Sequence, residues 1–158
     1  MFKLTALTIV TVLTTLLAGS TNAASLSSRG PPLIANIVYD DSLCVATRSL
    51  NTVSCSTGAN GLITKGYSTL SSLPSFPAVG GFPGVGFNST NCGGCYEVWY
   101  SGTGRSEYFT AVTDSGLPNQ AVLCTSKFLE LTGFDRNNIP ANVEVEIRSV
   151  PALDCGFN

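Results

Sequence analysis

The 158-residue chain contains no histidine, one tryptophan and one methionine, and only 11% of its residues are charged. Without histidine there is no imidazole general base, no Ser-His-Asp triad and no His metal site. The charges are scattered singly and sum to −2, so no basic stripe exists for nucleic acid or an anionic membrane surface. The apolar run from Leu4 to Leu17 falls short of the about 20 residues that a bilayer-spanning helix needs, and no basic flank follows it. These shortages exclude most catalytic and nucleic-acid classes and favour an uncharged or polar ligand, with no cofactor and no membrane insertion.

With Lys3 before it and small residues up to Ala23 after it, that apolar run reads as a secretory signal peptide, residues 1–23. Residues 24–34, with "SLSSRGPP", are predicted to be a flexible leader outside the core. Residues 35–158 then form a single domain, long enough for one modest core.

Six cysteines are present, at positions 44, 55, 92, 95, 124 and 155. An even count in an exported chain argues for disulfides. Zinc would call for a second close-spaced pair besides "CGGC", residues 92–95, and oxidising export competes against free thiolates. A redox CxxC opens a helix whose amides lower the thiol pKa. Here "YEVWY" follows, which favours strand. Cys92 and Cys95 therefore read as two structural half-cystines with different distant partners.

Strand patterns run over "ANIVYDD" (35–41), "CYEVWYS" (95–101), "SEYFTAVTD" (106–114) and "NVEVEIRSV" (142–150), the last alternating Val143, Val145 and Ile147 with charged residues. "TSKFLELTG" (125–133) reads as a helix with a Thr or Ser N-cap, an apolar face of Phe128, Leu129 and Leu131, and Gly133 as its stop. "FPAVGGFPGVGF" (76–87) is predicted to be an ordered loop packing Phe76, Phe82 and Phe87 on the core, a surface apolar patch being the alternative. Short strands between Gly-rich turns suggest a small closed barrel. Asn88 of "NST" is a glycosylation acceptor in a loop. Trp99, the single tryptophan, reads as core or rim and not as a ligand platform.

Several stretches in order, "VYD" (38–40), "VSCSTGANGL" (53–62), "FPAVGGFPGVGFNSTNCGGCYEVWY" (76–100), "FTAVTDSG" (109–116) and "KFLELTG" (127–133), resemble the cerato-platanins, small secreted fungal proteins. The resemblance implies a mainly β fold, a six-stranded double-psi β-barrel with short helices, like expansins and barwin. It also implies disulfides Cys55–Cys92 and Cys95–Cys155, leaving Cys44 and Cys124, extra to that pattern, to pair with each other or to remain as thiols or an intermolecular bond. It implies a non-catalytic protein that binds chitin-type oligosaccharides, loosens cellulose and acts as an elicitor on plant hosts; a monomer, with a host plant receptor as a further partner, is the expectation. After "DSG" the family continues with glycine and an aromatic-Asn pair, whereas this chain has "LPNQAVLC", which changes that loop's contacts.

Asp114 is the leading ligand-binding residue: it ends an apolar strand and enters a turn, where its carboxylate would either meet sugar or cap its own loop. Tyr39 and Asp40 offer a ring and an acceptor at a strand end, which suit the apolar C–H faces and hydroxyls of a sugar. Asn60 and Ser115 add neutral hydrogen-bonding groups or serve their own turns. Hydrolysis takes two carboxyls on opposite sides of the scissile bond, and Asp40 or Asp41 would have to be the second. A glycoside hydrolase or lytic transglycosylase, or a surface-active coat protein, are the alternatives to a binder.

Overall fold

A computed structural model describes residues 29–158, so the signal-peptide reading lies outside the described residues. Six strands close into a barrel: β1 (Leu33–Asp40), β2 (Val79–Phe82), β3 (Cys95–Tyr100), β4 (Arg105–Asp114), β5 (Gln120–Cys124) and β6 (Glu144–Val150), in the order β1-β5-β2-β4-β3-β6. One α-helix, α1 (Thr125–Thr132), and four 3-10 turns complete the described part. β1 pairs with β5 and β2 with β4 in parallel, and the other four pairings are antiparallel. Closure leaves no unpaired edge.

β3, β4 and β6 lie where their alternation places them, burying Val98, Phe109, Val145 and Ile147. The helix ends at Gly133, whose φ of 70° is the left-handed cap that glycine takes without cost. Its N-cap is Cys124, with no side-chain cap, rather than Thr or Ser. Phe128 and Leu131 are fully buried and Leu129 partly so, as the apolar face requires.

Three expectations need correction. The leader is not detached: Leu33 and Ile34 already pair with Ile147 and Glu146, and the Gly30 amide donates to the Ser149 carbonyl at 3.0 Å. The glycine-rich segment is not wholly loop, because Val79–Phe82 is a barrel strand between β4 and β5. Glycine is required there by close approach: a Cβ on Gly80 would stand 2.8 Å from the Val122 carbonyl, and one on Gly81 3.0 Å from that of Asp114. Phe82 is buried, stacked on Tyr96 at 4.4 Å, and Phe76 packs partly, but Phe87 is 68% exposed. Finally, Trp99 is not core: it stands 38% exposed on the outer face, at the second-last position of β3 near the barrel's end.

Cys92 bonds to Cys55 and Cys95 to Cys155, so the two halves of "CGGC" go to different partners, and Cys44 bonds to Cys124. The first two bridges pin the loops before β3 and after β6. The third ties the 3-10 turn at Asp41–Cys44 to the start of α1.

Candidate functional site

Asp114 is the last residue of β4, in register with Phe82, the last of the parallel strand β2. Both chains then leave the barrel at the same end, as loops 83–94 and 115–119. The segment 54–60 joins them: Ser54 bonds Thr113 Oγ1 through its hydroxyl at 2.9 Å, Cys55 N donates to the Val112 carbonyl, and Cys55 is bonded to Cys92. Three loops thus meet around one exposed carboxylate.

Asp114 Oδ1 accepts from the Gly116 amide at 2.8 Å, the Asx turn that its place before "SG" foretells. The other oxygen, Oδ2, lies 3.9 Å from where a Cβ on Gly86 would be and accepts no hydrogen bond from the described residues. Self-capping and ligand binding are therefore compatible, since each uses a different oxygen. Ser115 is tied locally, its hydroxyl donating to the Leu117 carbonyl at 2.9 Å and its amide to that of Phe82 at 3.3 Å. Asn60 is consumed by structure: its amide donates to Asn88 Oδ1 at 3.0 Å and its Nδ2 to the Asn88 carbonyl at 2.9 Å. It braces the far end of the same loop whose Gly86 underlies Asp114.

Tyr39 and Asp40 are not brought to Asp114. Following the registers from Asp114 through Phe82 and β5 to β1 places Asp114 level with Ile37. That is three strands and three residues from Asp40, on the order of 10–15 Å across the barrel. Asp40 Oδ1 accepts from the Ser42 amide at 2.7 Å and caps the 3-10 turn. Tyr39, 40% exposed, rests on Phe128 of α1 with ring centroids 5.3 Å apart. Asp41 is paired with the Arg136 guanidinium, which holds its carboxyl below the usual carboxylate range. The two acids that sequence reasoning offered as partners for hydrolysis are thus committed to a cap and an ion pair away from Asp114.

Residues 35–157 match the cerato-platanin family. The chain belongs to that family. It is 34% identical over 143 residues to "Allergen Asp f 15 homolog" of Arthroderma benhamiae, covering 90% of this chain and 65% of that relative's length. Among solved structures it resembles cerato-platanin 3 from M. perniciosa, with a TM-score of 0.72 and 33% identity over 79% of this chain and all of that one. It also resembles the solution structure of the fungal elicitor cerato-platanin, with a TM-score of 0.66 and 30% identity over 77% and 96% of the two chains. The closed six-stranded barrel and the Cys55–Cys92 and Cys95–Cys155 bridges agree with what the resemblance implies, and Cys44–Cys124 is a bridge added to that pattern.

Proposed function

We propose that the protein is a secreted, non-catalytic monomer that binds cell-wall polysaccharide, N-acetylglucosamine oligomers foremost, through the loops around Asp114. The observation that carries this reading is the divided role of that carboxylate, one oxygen held by the Gly116 amide and the other open over Gly86. A fixed acceptor at the surface suits sugar hydroxyls, which donate to carboxylates. Secretion accords with the pairing of every cysteine among the described residues. Expansin-like loosening follows if the sugar chain bound here is one that otherwise packs against its neighbours, because binding a separated chain favours separation. Elicitor activity is the corresponding biological reading, drawn from the name of one structural relative, with a host plant receptor as the partner the family resemblance suggests.

The test is incubation with defined chitin and cellulose oligomers, scoring binding and product release together. Binding without shortened products is the expected result. Steady release of shortened oligomers would replace this reading with a hydrolase.

A further inference from the structure

The outer face of β4, β3, β6 and β1 carries a row that the Asp114 loops do not use. Trp99 is in register with Ser106 on one side and Glu146 on the other, and Glu146 with Ile34. In the next row Tyr108, Glu97 and Arg148 stand side by side. Two depressions, of about 340 and 200 Å³, flank the indole, and Trp99 and Glu146 line both. Beyond them, an open groove of about 570 Å³ begins at Ser106 and Tyr108 and runs to Phe76. Trp99 and Tyr108 are diagonal neighbours on adjacent strands, a spacing within reach of one extended ligand.

Trp99 is 38% exposed where tryptophan is highly buried on average, and it lies between two depressions with the exposed Ile34 beside it. Its surroundings decide what it contacts. Glu97 is paired with Arg29 at 3.1 Å and Glu146 with Arg148 at 2.8 Å, while Glu144 at the edge makes no ion pair among the described residues. The charge around the ring is nearly balanced, so little field draws a cation or an anion. The apolar area is small, the indole and Ile34, 51% exposed in the same row, with Glu146 between them, whereas the centre of a protein interface is depleted of charge. A sugar ring meets both conditions, with a C–H face for the indole and hydroxyls for the fixed guanidinium and carboxylate groups at its edges.

We propose that this face is a second saccharide-binding surface, on which an uncharged polysaccharide lies across the strands with Trp99 as its stacking platform. Glu97, Glu146 and Arg148 hold its hydroxyls. The surface shares a ligand class with the Asp114 reading but none of its residues. Trp99 is level with Ser106, eight residues back along β4 from Asp114, about 27 Å along the strand. Two such sites on one small barrel would grip a polymer at two points and raise its retention over that of a short oligomer.

Because the chain has a single tryptophan, its fluorescence reports on this face alone. The experiment follows the emission on titration with N-acetylglucosamine hexamer, and sedimentation with insoluble chitin and with cellulose, for the parent, Trp99→Ala, Trp99→Phe and Asp114→Asn. The expected result is a shifted emission in the parent and about tenfold weaker retention on polymer in Trp99→Ala. Trp99→Phe should keep most of the retention, because a ring remains, which separates stacking from folding. Retention of Trp99→Ala equal to the parent, or an emission that hexamer leaves unchanged, would overturn the surface while leaving the Asp114 site standing. Loss in Trp99→Ala with none in Asp114→Asn on either ligand would retire the Asp114 site instead.

Discussion

Asn88 grips Asn60 from both its side chain and its backbone, Oδ1 taking the Asn60 amide at 3.0 Å while its carbonyl takes Asn60 Nδ2 at 2.9 Å. Asn88 does so at a φ of 56°, in the left-handed region that asparagine tolerates better than most residues. The pair holds loop 54–60 against loop 83–94. Asn88→Ala loses the side-chain bond and places alanine in a strained conformation, so it should destabilise by about 1.5–3 kcal/mol in urea unfolding. Asn88→Asp keeps the acceptor and should stay close to the parent. A glycan would sit on Nδ2 and leave Oδ1 free to accept, so occupancy and bracing are compatible. Asn88→Asp should therefore remove any glycan mass while keeping the fold, and equal stability of the Ala and Asp variants would refute the clamp.

The Cys44–Cys124 bridge is extra to the four-cysteine pattern of the resemblance and spans 80 residues. Closing a loop of that length stabilises by about 4.5 kcal/mol on the chain-entropy model, with measured losses for native bridges about 2–5 kcal/mol. The double variant Cys44→Ala, Cys124→Ala should melt well below the parent and still bind oligosaccharide, because both residues lie at the barrel end away from Asp114. Unreduced peptide mapping should recover 44 with 124. A double variant that melts like the parent would mean that the native packing around α1 already holds that end.

How much could be read beforehand depended on what each strand carries. β1, β3, β4 and β6 have enough β-branched and aromatic residues for period two to stand out. β2 is "VGGF", and its glycines are there because β4 and β5 leave no room for side chains, so the feature that makes it a central strand erases its sequence signal. β5, "QAVLC", is only five residues long and follows a Pro-Asn turn, so it read as part of a divergent loop. At the candidate site, the turn chemistry of "TDSG" foretells the Asx turn that Asp114 makes with Gly116, but no local pattern tells which barrel end a strand terminus occupies. That needs the pairing registers, which alone show that Tyr39 and Asp40 lie away from Asp114. Trp99 had a usable signal that was missed: Glu97, two residues earlier, shares its face, and a charged residue marks that face as the outer one.

Glu107, half-buried on β4, is pushed above its ordinary value of 4.5 by burial, against the pull of Lys127 at 3.2 Å. The folded state therefore holds this proton more tightly than the unfolded chain does. Its contribution to stability is complete below the unfolded pKa and is lost as pH rises through the folded one. Glu107→Gln cannot ionise, so its melting temperature relative to the parent should rise between about pH 4 and pH 7. Calorimetry of both proteins across that range reads the difference directly. A difference that stays flat or falls would show that the Lys127 pair outweighs the burial cost.

Asp114→Asn is the substitution that bears most closely on function. It keeps the size of the side chain and leaves an amide oxygen to accept from the Gly116 amide, so the turn and the circular dichroism should persist. It removes the charge from the oxygen that faces the open space over Gly86. In a shallow, wet site each hydrogen bond contributes about 0.5–1.5 kcal/mol, and one to a charged group about 1.5–3 kcal/mol. Parent affinity for N-acetylglucosamine oligomers should accordingly be micromolar to millimolar, and the variant about tenfold weaker. Titration followed by NMR should place the largest shifts in the parent at residues 113–116 and 84–88, the two loops that meet at the carboxylate. Equal affinity in parent and variant, or shifts confined to residues 97–99 and 144–148, would move the principal site to the outer face of the sheet.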